Sequence, residues 1–221
     1  METVCGSLPM LPPSGSYQVL LLQTSFERAW RDIGANSSGS SLYEELVASY
    51  SEPHRRYHSI QHLTECLQTY DMVRLLAERP AEVELALWFH DAIYDVRRGD
   101  NEERSADWAK RELAFAAVPE EAVARVHALV MVTRHTETPT CADQQLLVDV
   151  DLSILGAPQD RFAEYEQQIR DEYSFVPNWL FRRKRRTILK SFFDRPRIYS
   201  TEHFHLHFEQ RARENLRRAI S

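Results

Sequence analysis

The stretch Val83-Glu84-Leu85-Ala86-Leu87-Trp88-Phe89-His90-Asp91-Ala92 predicts a buried helix that carries an imidazole and a carboxylate side by side. A charged side chain in such an apolar run costs free energy unless it is paired or binds a metal. Two further clusters of the same residue types flank it. His58 and His62 lie upstream, and Asp149 and Asp151 lie downstream in another apolar run. These three clusters need a common explanation.

Apolar residues recur at helical spacing on both sides of this stretch, and no segment shows the alternation of a β-strand. Residues 1–15 are rich in Pro, Gly and Ser, and this head is expected to be disordered or loosely packed. Residues 16–221 are then one helical domain, and the fold class is all-α, a globular multi-helix bundle. Capping boxes are expected at Ser41 to Glu44 and at Asp100 to Glu103. The predicted helices are 17–33, 41 to about 51, 57–78, 80 to about 97, one capped by Asp100, 119–135, 146–155, 162–173, 179–193 and 204–220.

The composition of the 221-residue chain limits its partners and its compartment. The net charge of -6 gives no general attraction to nucleic acid or to anionic membranes, so any phosphate binding must use a local patch. Three widely spaced cysteines favour a reducing compartment over a disulfide framework. No apolar run approaches the ~20 residues of a membrane span, and no signal peptide is evident. We expect a cytoplasmic protein with no membrane partner.

The three clusters fit a metal site better than three unrelated core features. Divalent transition metals take imidazole and carboxylate ligands, and histidines four apart on a helix face the same way, as the upstream pair would. His90 and Asp91 point about 100° apart on a straight helix, and both can still reach one ion. Asp149 or Asp151 from a third helix would complete a mixed N/O site. Such a site suits Mn, Fe, Ni, Zn or Mg, and the sequence leaves open whether it holds one ion or two.

The order of these motifs resembles the HD-domain superfamily of metal-dependent phosphohydrolases, over roughly Tyr57 to Ser153. The segment Tyr57-His58-Ser59-Ile60-Gln61-His62 is similar to the tyrosine-histidine-asparagine…histidine motif of cyclic-nucleotide phosphodiesterases, with serine in place of asparagine. Asp151-Leu152-Ser153 resembles their aspartate-leucine-serine segment. The resemblance implies that His58 is the acid that protonates the leaving group. It also implies a metal ligand set of His62, His90, Asp91 and Asp151.

The resemblance implies an enzyme that cleaves a phosphomonoester, nucleotide or phosphodiester with metal-activated water. The purine-gripping glutamine of the phosphodiesterases has no counterpart, so the reaction class is carried over and the cyclic substrate is not. The chain is most similar to small stand-alone bacterial HD proteins. Its partner would be a small, nucleotide-like phosphorylated substrate, whose identity the motifs do not encode. They do not encode the oligomeric state either.

Two alternatives stay open. One is an HD-fold di-iron oxygenase, for which His135 is the available extra ligand. The other is a regulatory or nucleic-acid-binding module with a vestigial metal site, supported by the basic run 182–186. That run argues only weakly for nucleic acid, because five consecutive charges spread around a helix and few of them can face one surface.

Five further residues are candidates for supporting roles. Asp95 or Glu102 follows the His-Asp pair and would orient the water, as an acid there does in some HD hydrolases. His135 is a candidate ligand of a second metal or of phosphate, although the helix dipole alone favours a histidine at a helix end. Arg186 and Lys190 are candidates for reaching the substrate phosphate. A solvated helix face is the competing interpretation for both cations.

Overall fold

The computed structural model describes residues 15–136 and 138–221, without the side chain of Ser16. Within these residues the chain is all-α and has no β-strand, which confirms the predicted fold class. Apart from Gly15, the predicted head lies outside the described residues. Two 3-10 segments, Arg74–Leu76 and Leu152–Gly156, accompany ten helices: α1 Gly15–Asp32, α2 Ser40–Tyr50, α3 Ile60–Val73, α4 Pro80–Phe89, α5 Asn101–Phe115, α6 Glu120–Val132, α7 Ala142–Asp151, α8 Gln159–Glu172, α9 Asn178–Phe193 and α10 Glu202–Ile220.

Helix α4 is the central helix of the bundle. Every residue from Val83 to Phe89 is buried, and α1, α3, α5, α6 and α7 pack around it. A helix that is apolar on all sides is expected in such a central position. Its one fully buried acid, Glu84, accepts a hydrogen bond from Ser25 Oγ at 2.7 Å and pairs with Arg28, both on α1. The pairing removes the cost of burying that charge.

Helix α4 ends at Phe89, so the prediction that it continues through the His-Asp pair to about residue 97 is wrong. The carbonyl groups that follow are taken by Arg55, whose Nη1 donates to the Asp91 oxygen at 2.6 Å and whose Nη2 donates to the Ala92 oxygen at 2.9 Å. The last carbonyls of α4 itself also find partners, since Leu87 accepts from the His90 ring at 2.7 Å and Trp88 accepts from the Tyr50 hydroxyl at 3.2 Å. No local glycine or proline marks this end, because the partner comes from a distant segment.

Both predicted capping boxes are wrong. Helix α2 begins at Ser40 after Gly39, and Ser41 Oγ donates to Glu45 within the helix. Gly39 has a left-handed backbone with φ of 68°, and a Cβ there would lie 2.8 Å from Trp30 Nε1. Asp100 does precede α5, but its carboxylate binds Arg98 rather than a backbone N–H group.

The C-terminal helix is joined to the end of α7 through a buried acid. Asp149 accepts hydrogen bonds from the N–H groups of Ser200 and Thr201, at 2.8 and 2.7 Å, and from the Thr201 hydroxyl at 2.6 Å. It therefore holds the segment that leads into α10 and is not available as a ligand. Helix α7 was predicted at 146–155, whereas it ends at Asp151 and continues as the 3-10 segment. In the described part of the chain, no helix has the length and apolar content that crossing a bilayer requires.

Candidate metal centre

Three segments that are distant in sequence converge on one point. Helix α3 contributes His62, the turn after α4 contributes His90 and Asp91, and the last residue of α7 is Asp151. His62 Nε2 lies 3.1 Å from His90 Nε2, 3.5 Å from Asp91 Oδ2 and 3.3 Å from Asp151 Oδ1. His90 Nε2 lies 3.1 Å from Asp91 Oδ2 and 3.6 Å from Asp151 Oδ1.

These separations are those of ligand atoms around a cation. Bonds of 2.0–2.1 Å place neighbouring ligand atoms about 3.0 Å apart in an octahedron and about 3.4 Å apart in a tetrahedron. The His90 ring is also prepared for a metal, because its Nδ1–H donates to the Leu87 carbonyl at 2.7 Å and its Nε2 faces the cluster. Metal-binding histidines characteristically have their second nitrogen held in this way.

The electrostatics of the cluster favour a positive charge at its centre. Burial alone would lower the pKa of His90, but the charge of Asp91 and a hydrogen bond to it outweigh burial and raise that pKa to about 9. Burial likewise disfavours the charged form of Asp91, yet the neighbouring histidines lower its pKa well below the usual value. The pKa of Asp151 is lowered in the same sense by His135 and His62, against its burial. Two ionised carboxylates beside imidazole nitrogens therefore form a site of cation-binding character.

Cys66 also borders the cluster. The ligand atoms of His62, Cys66, His90 and Asp151 all lie within 4.8 Å of one another, so this group could bind a metal ion. The Cys66 Sγ lies 3.7 Å from both ring nitrogens of His62, which places it beside the ring. Burial raises the pKa of this thiol well above its usual value. Sequence reasoning missed Cys66, although its position four residues after His62 on a helix was an available signal.

His58 lies beside the cluster but on no helix, because α3 begins only at Ile60. The prediction that His58 and His62 share one helical face is therefore wrong. The ring of His58 stacks on Tyr94 with centroids 4.1 Å apart, and its Nδ1–H donates to Glu172 Oε2 at 2.8 Å. Burial lowers its pKa, but the charge of Asp91 and the bond to Glu172 reverse that effect, and the pKa is raised. This hydrogen bond uses Nδ1 of the ring and does not involve Nε2.

Glu172, the last residue of α8, holds the loop that carries His58. Its Oε1 accepts from the backbone N–H groups of Arg56, Tyr57 and His58, at 2.9, 2.8 and 3.0 Å. Its Oε2 accepts from the Tyr94 hydroxyl at 2.8 Å in addition to His58. Sequence reasoning missed this residue. The available signal was an acid on the buried face of α8, in register with Phe162, Tyr165 and Ile169.

His135 is part of the same centre. Helix α6 ends at Val132, three residues before the predicted end, and His135 adopts a left-handed backbone with φ of 55°. That conformation is uncommon for a residue other than glycine. Its Nε2 lies 3.0 Å from Asp151 Oδ2, and its ring meets the edge of Phe192 with centroids 5.9 Å apart. Its Nδ1 is buried without a hydrogen-bond partner among residues 15–136 and 138–221.

The other four candidates make no hydrogen bond or ion pair with the cluster in the described part of the chain. Asp95 Oδ1 accepts from the N–H group of Arg97 at 2.9 Å and so stabilises a turn. Glu102 faces Arg134 at 4.0 Å. Lys190 Nζ binds Asp194 at 2.7 Å, and Arg186 is exposed on α9.

Comparisons with protein-family models, curated proteins and solved structures find no match for this chain. The resemblance to HD-domain hydrolases therefore rests on the motif residues alone. The geometry of those residues is independent of the resemblance, since it follows from how the helices pack.

Proposed function

We propose that this chain is a metal-dependent phosphohydrolase whose metal is held by His62, His90, Asp91 and Asp151. The observation that carries the proposal is that the Nε2 atoms of His62 and His90 lie 3.1 Å apart, and that each lies 3.1–3.6 Å from a carboxylate oxygen of Asp91 and of Asp151. A mixed N/O set of this kind suits Mn, Fe, Ni, Zn or Mg. Asp91 is preferred to Cys66 as the fourth ligand, because its carboxylate lies 3.1 Å from His90 Nε2.

A divalent ion in this site supplies Lewis acidity, which lowers the pKa of water to about 7 in favourable sites and offsets charge on phosphoryl oxygens. The chain itself supplies the proton donor. Glu172 fixes the Nδ1–H tautomer of His58 and the orientation of its ring, so a proton on Nε2 can be given to the leaving oxygen of the substrate. The stacked ring of Tyr94 restricts the imidazole on one face.

Support for this role also comes from how the loop is held. Arg55 donates to the carbonyl of His58 at 3.1 Å and to that of Asp91 at 2.6 Å, and its side chain is buried. The guanidinium thus joins the segment of the proposed acid to the segment of two proposed ligands. Such a fixed relative position is what general acid catalysis requires.

The test begins with elemental analysis of the purified protein, followed by a screen of phosphomonoesters, nucleotides and phosphodiesters with the metal found. His90→Ala and Asp91→Ala should abolish hydrolysis while the helical circular dichroism is kept. His58→Ala should depress turnover with near-normal metal content. His127→Ala is the control, because that imidazole faces Asp107 and has no contact with the cluster. Normal hydrolysis by both the His90 and Asp91 variants would refute the proposal.

A di-iron oxygenase is a second candidate, supported by one observation. His135 Nε2 lies 3.0 Å from Asp151 Oδ2, so an imidazole and a carboxylate are paired at the side of the cluster where a second ion would need ligands. Metal analysis after anaerobic purification, together with oxygen uptake, separates the two functions. Two irons per chain with oxygen consumption and no phosphoester hydrolysis would favour the oxygenase.

A further inference from the structure

Helix α10 carries a pair of histidines that takes no part in the centre described above. The rings of His203 and His207 have centroids 4.8 Å apart, with an angle of 56° between their planes. Residues four apart on a helix lie on the same face. His205, between them in the chain, lies on another side of the helix and faces Glu209 at 3.5 Å. The spacing of four therefore brings two of the three imidazoles together.

Both imidazoles of this pair lack a polar partner and are open to solvent. Neither ring forms a hydrogen bond or an ion pair with any residue in 15–136 or 138–221. Every other histidine of the chain has a polar partner within the fold. His207 is exposed and His203 is half-buried. Burial and the charge that His207 carries when protonated lower the pKa of His203, so its imidazole is neutral at about pH 7 and keeps a lone pair for a ligand bond.

The separation of the two rings suits two ligands of one ion. In the buried cluster, the rings of His62 and His90 have centroids 5.2 Å apart and Nε2 atoms 3.1 Å apart. The pair on α10, at 4.8 Å, is as close. Imidazole is a favoured ligand of Zn, Cu and Ni ions, and two histidines four apart on one helix are the arrangement by which helices of metalloproteases bind zinc.

The first turns of α10 hold this pair on a fixed backbone. Phe204 is fully buried, and its ring centroid lies 5.0 Å from that of Phe208 and 5.4 Å from that of His203. The N–H group of His205 donates to the Thr201 carbonyl at 3.0 Å, which secures the first turn. Binding an ion would thus order only side-chain torsions, so its entropic cost is small.

We propose that His203 and His207 form a second metal site, a surface chelate that takes one divalent ion of the Ni²⁺, Cu²⁺ or Zn²⁺ class. The two imidazoles fill two coordination positions and water fills the others. This site is open to solvent, unlike the buried cluster, so its ion exchanges directly with the medium. None of the four proposed ligands of the cluster lies on α10, so the inference is independent of the phosphohydrolase proposal.

The test follows Ni²⁺ binding to the full chain by two-dimensional NMR, because a paramagnetic ion broadens the amide signals of residues near it. In the wild type, the signals of residues 203–207 should broaden on titration. The decisive variant combines His207→Gln with Gln210→His, which keeps the number of histidines but places the second one about 10 Å along the helix from His203. The Ni²⁺ affinity of this segment should then fall at least about a hundredfold, because two ligands no longer share one ion.

A lone exposed imidazole gives the matched control. His54→Gln removes a side chain that is 48% exposed and has no part in the pair, and residues 203–207 should broaden in it as they do in the wild type. Wild-type signals of α10 that stay sharp throughout the titration would overturn the inference. Equal Ni²⁺ affinity in the wild type and the exchange variant would also overturn it, since single histidines would then suffice. Both results leave the phosphohydrolase proposal standing, because no ligand of the cluster is altered.

Discussion

Replacing Glu172 with glutamine should destabilise the protein by about 3 kcal/mol at neutral pH. A carboxamide oxygen can keep the bonds from the three backbone N–H groups, but its NH2 group then faces the donors of His58 and Tyr94. Two hydrogen bonds to a charged acceptor contribute about 1.5–3 kcal/mol each. The pKa of Glu172 is lowered to about 2, because the bonds and charge of His58 outweigh its burial. Against a usual value near 4.5, that shift corresponds to roughly 3 kcal/mol.

The dependence on pH follows from the direction of this shift. Because the folded-state pKa is below the unfolded-state value, the stabilisation is complete above about pH 4.5 and is lost as the pH falls towards about 2. Glutamine cannot titrate, so the stability gap between wild type and variant should narrow by up to about 1.4 kcal/mol per pH unit in that window. Urea unfolding followed by circular dichroism at about pH 7 and about pH 3.5 measures both gaps.

The neighbouring exposed acid gives a control for this measurement. Asp171→Asn removes a charge from the same end of α8, where Asp171 accepts only a side-chain bond from Gln167. It should change stability by less than about 0.5 kcal/mol at either pH. A Glu172→Gln variant as stable as wild type at neutral pH would show that the ionised carboxylate of Glu172 does not stabilise the fold. A difference in stability between the two proteins that does not change with pH would show the same.

Three further predictions follow from particular contacts. Cys66→Ala should keep the metal content of the purified protein whereas Asp91→Asn should lower it, and elemental analysis showing the reverse would place Cys66 in the ligand set instead. Gly39→Ala should lower the free energy of unfolding by about 2 kcal/mol, since it adds a Cβ 2.8 Å from Trp30 on a left-handed backbone. Gly34→Ala, with φ of 87° and nothing within 4 Å, should lower it by only about 1 kcal/mol through the backbone. Equal losses of stability in urea unfolding would show that the contact with Trp30 does not contribute. Asp149→Ala should destabilise by about 2 kcal/mol through the lost hydrogen bonds to Ser200 and Thr201 and leave metal binding intact, so loss of metal at unchanged stability would be inconsistent with this structural role.

The sequence was sufficient for features that depend on local periodicity. The Val83–Phe89 run, which is apolar apart from Glu84, identifies a buried helix, because a helix that is apolar on nearly every side must be enclosed by others. The end of that helix was beyond local reasoning. The Trp88 carbonyl accepts from the hydroxyl of Tyr50, 38 residues earlier, and the turn that follows is held by Arg55, which lies 36 residues away from Asp91 in the chain. A boundary set by such a partner leaves no signal in the residues next to it.

The same distinction applies to the candidate centre. Residue types and spacing were enough to find the three clusters, whereas the set of four ligands, with Asp151 rather than Asp149, was implied by the resemblance. The structure brings the side chains of these four residues together. Glu172 could not be linked to His58, since 114 residues separate them and their contact depends on how α8 docks.

The distances along the chain between the clustered side chains have a thermodynamic consequence. His62 and His90 are 28 residues apart, and Asp151 comes from yet another helix. No local fragment contains the whole set, so the site exists only when α3, α4 and α7 are all docked. The binding free energy of an ion would then be added to the stability of the entire bundle, by RT ln(1 + [M]/Kd). Opening any one of the three helices would release the ion, so the free energy of unfolding would rise with the concentration of metal.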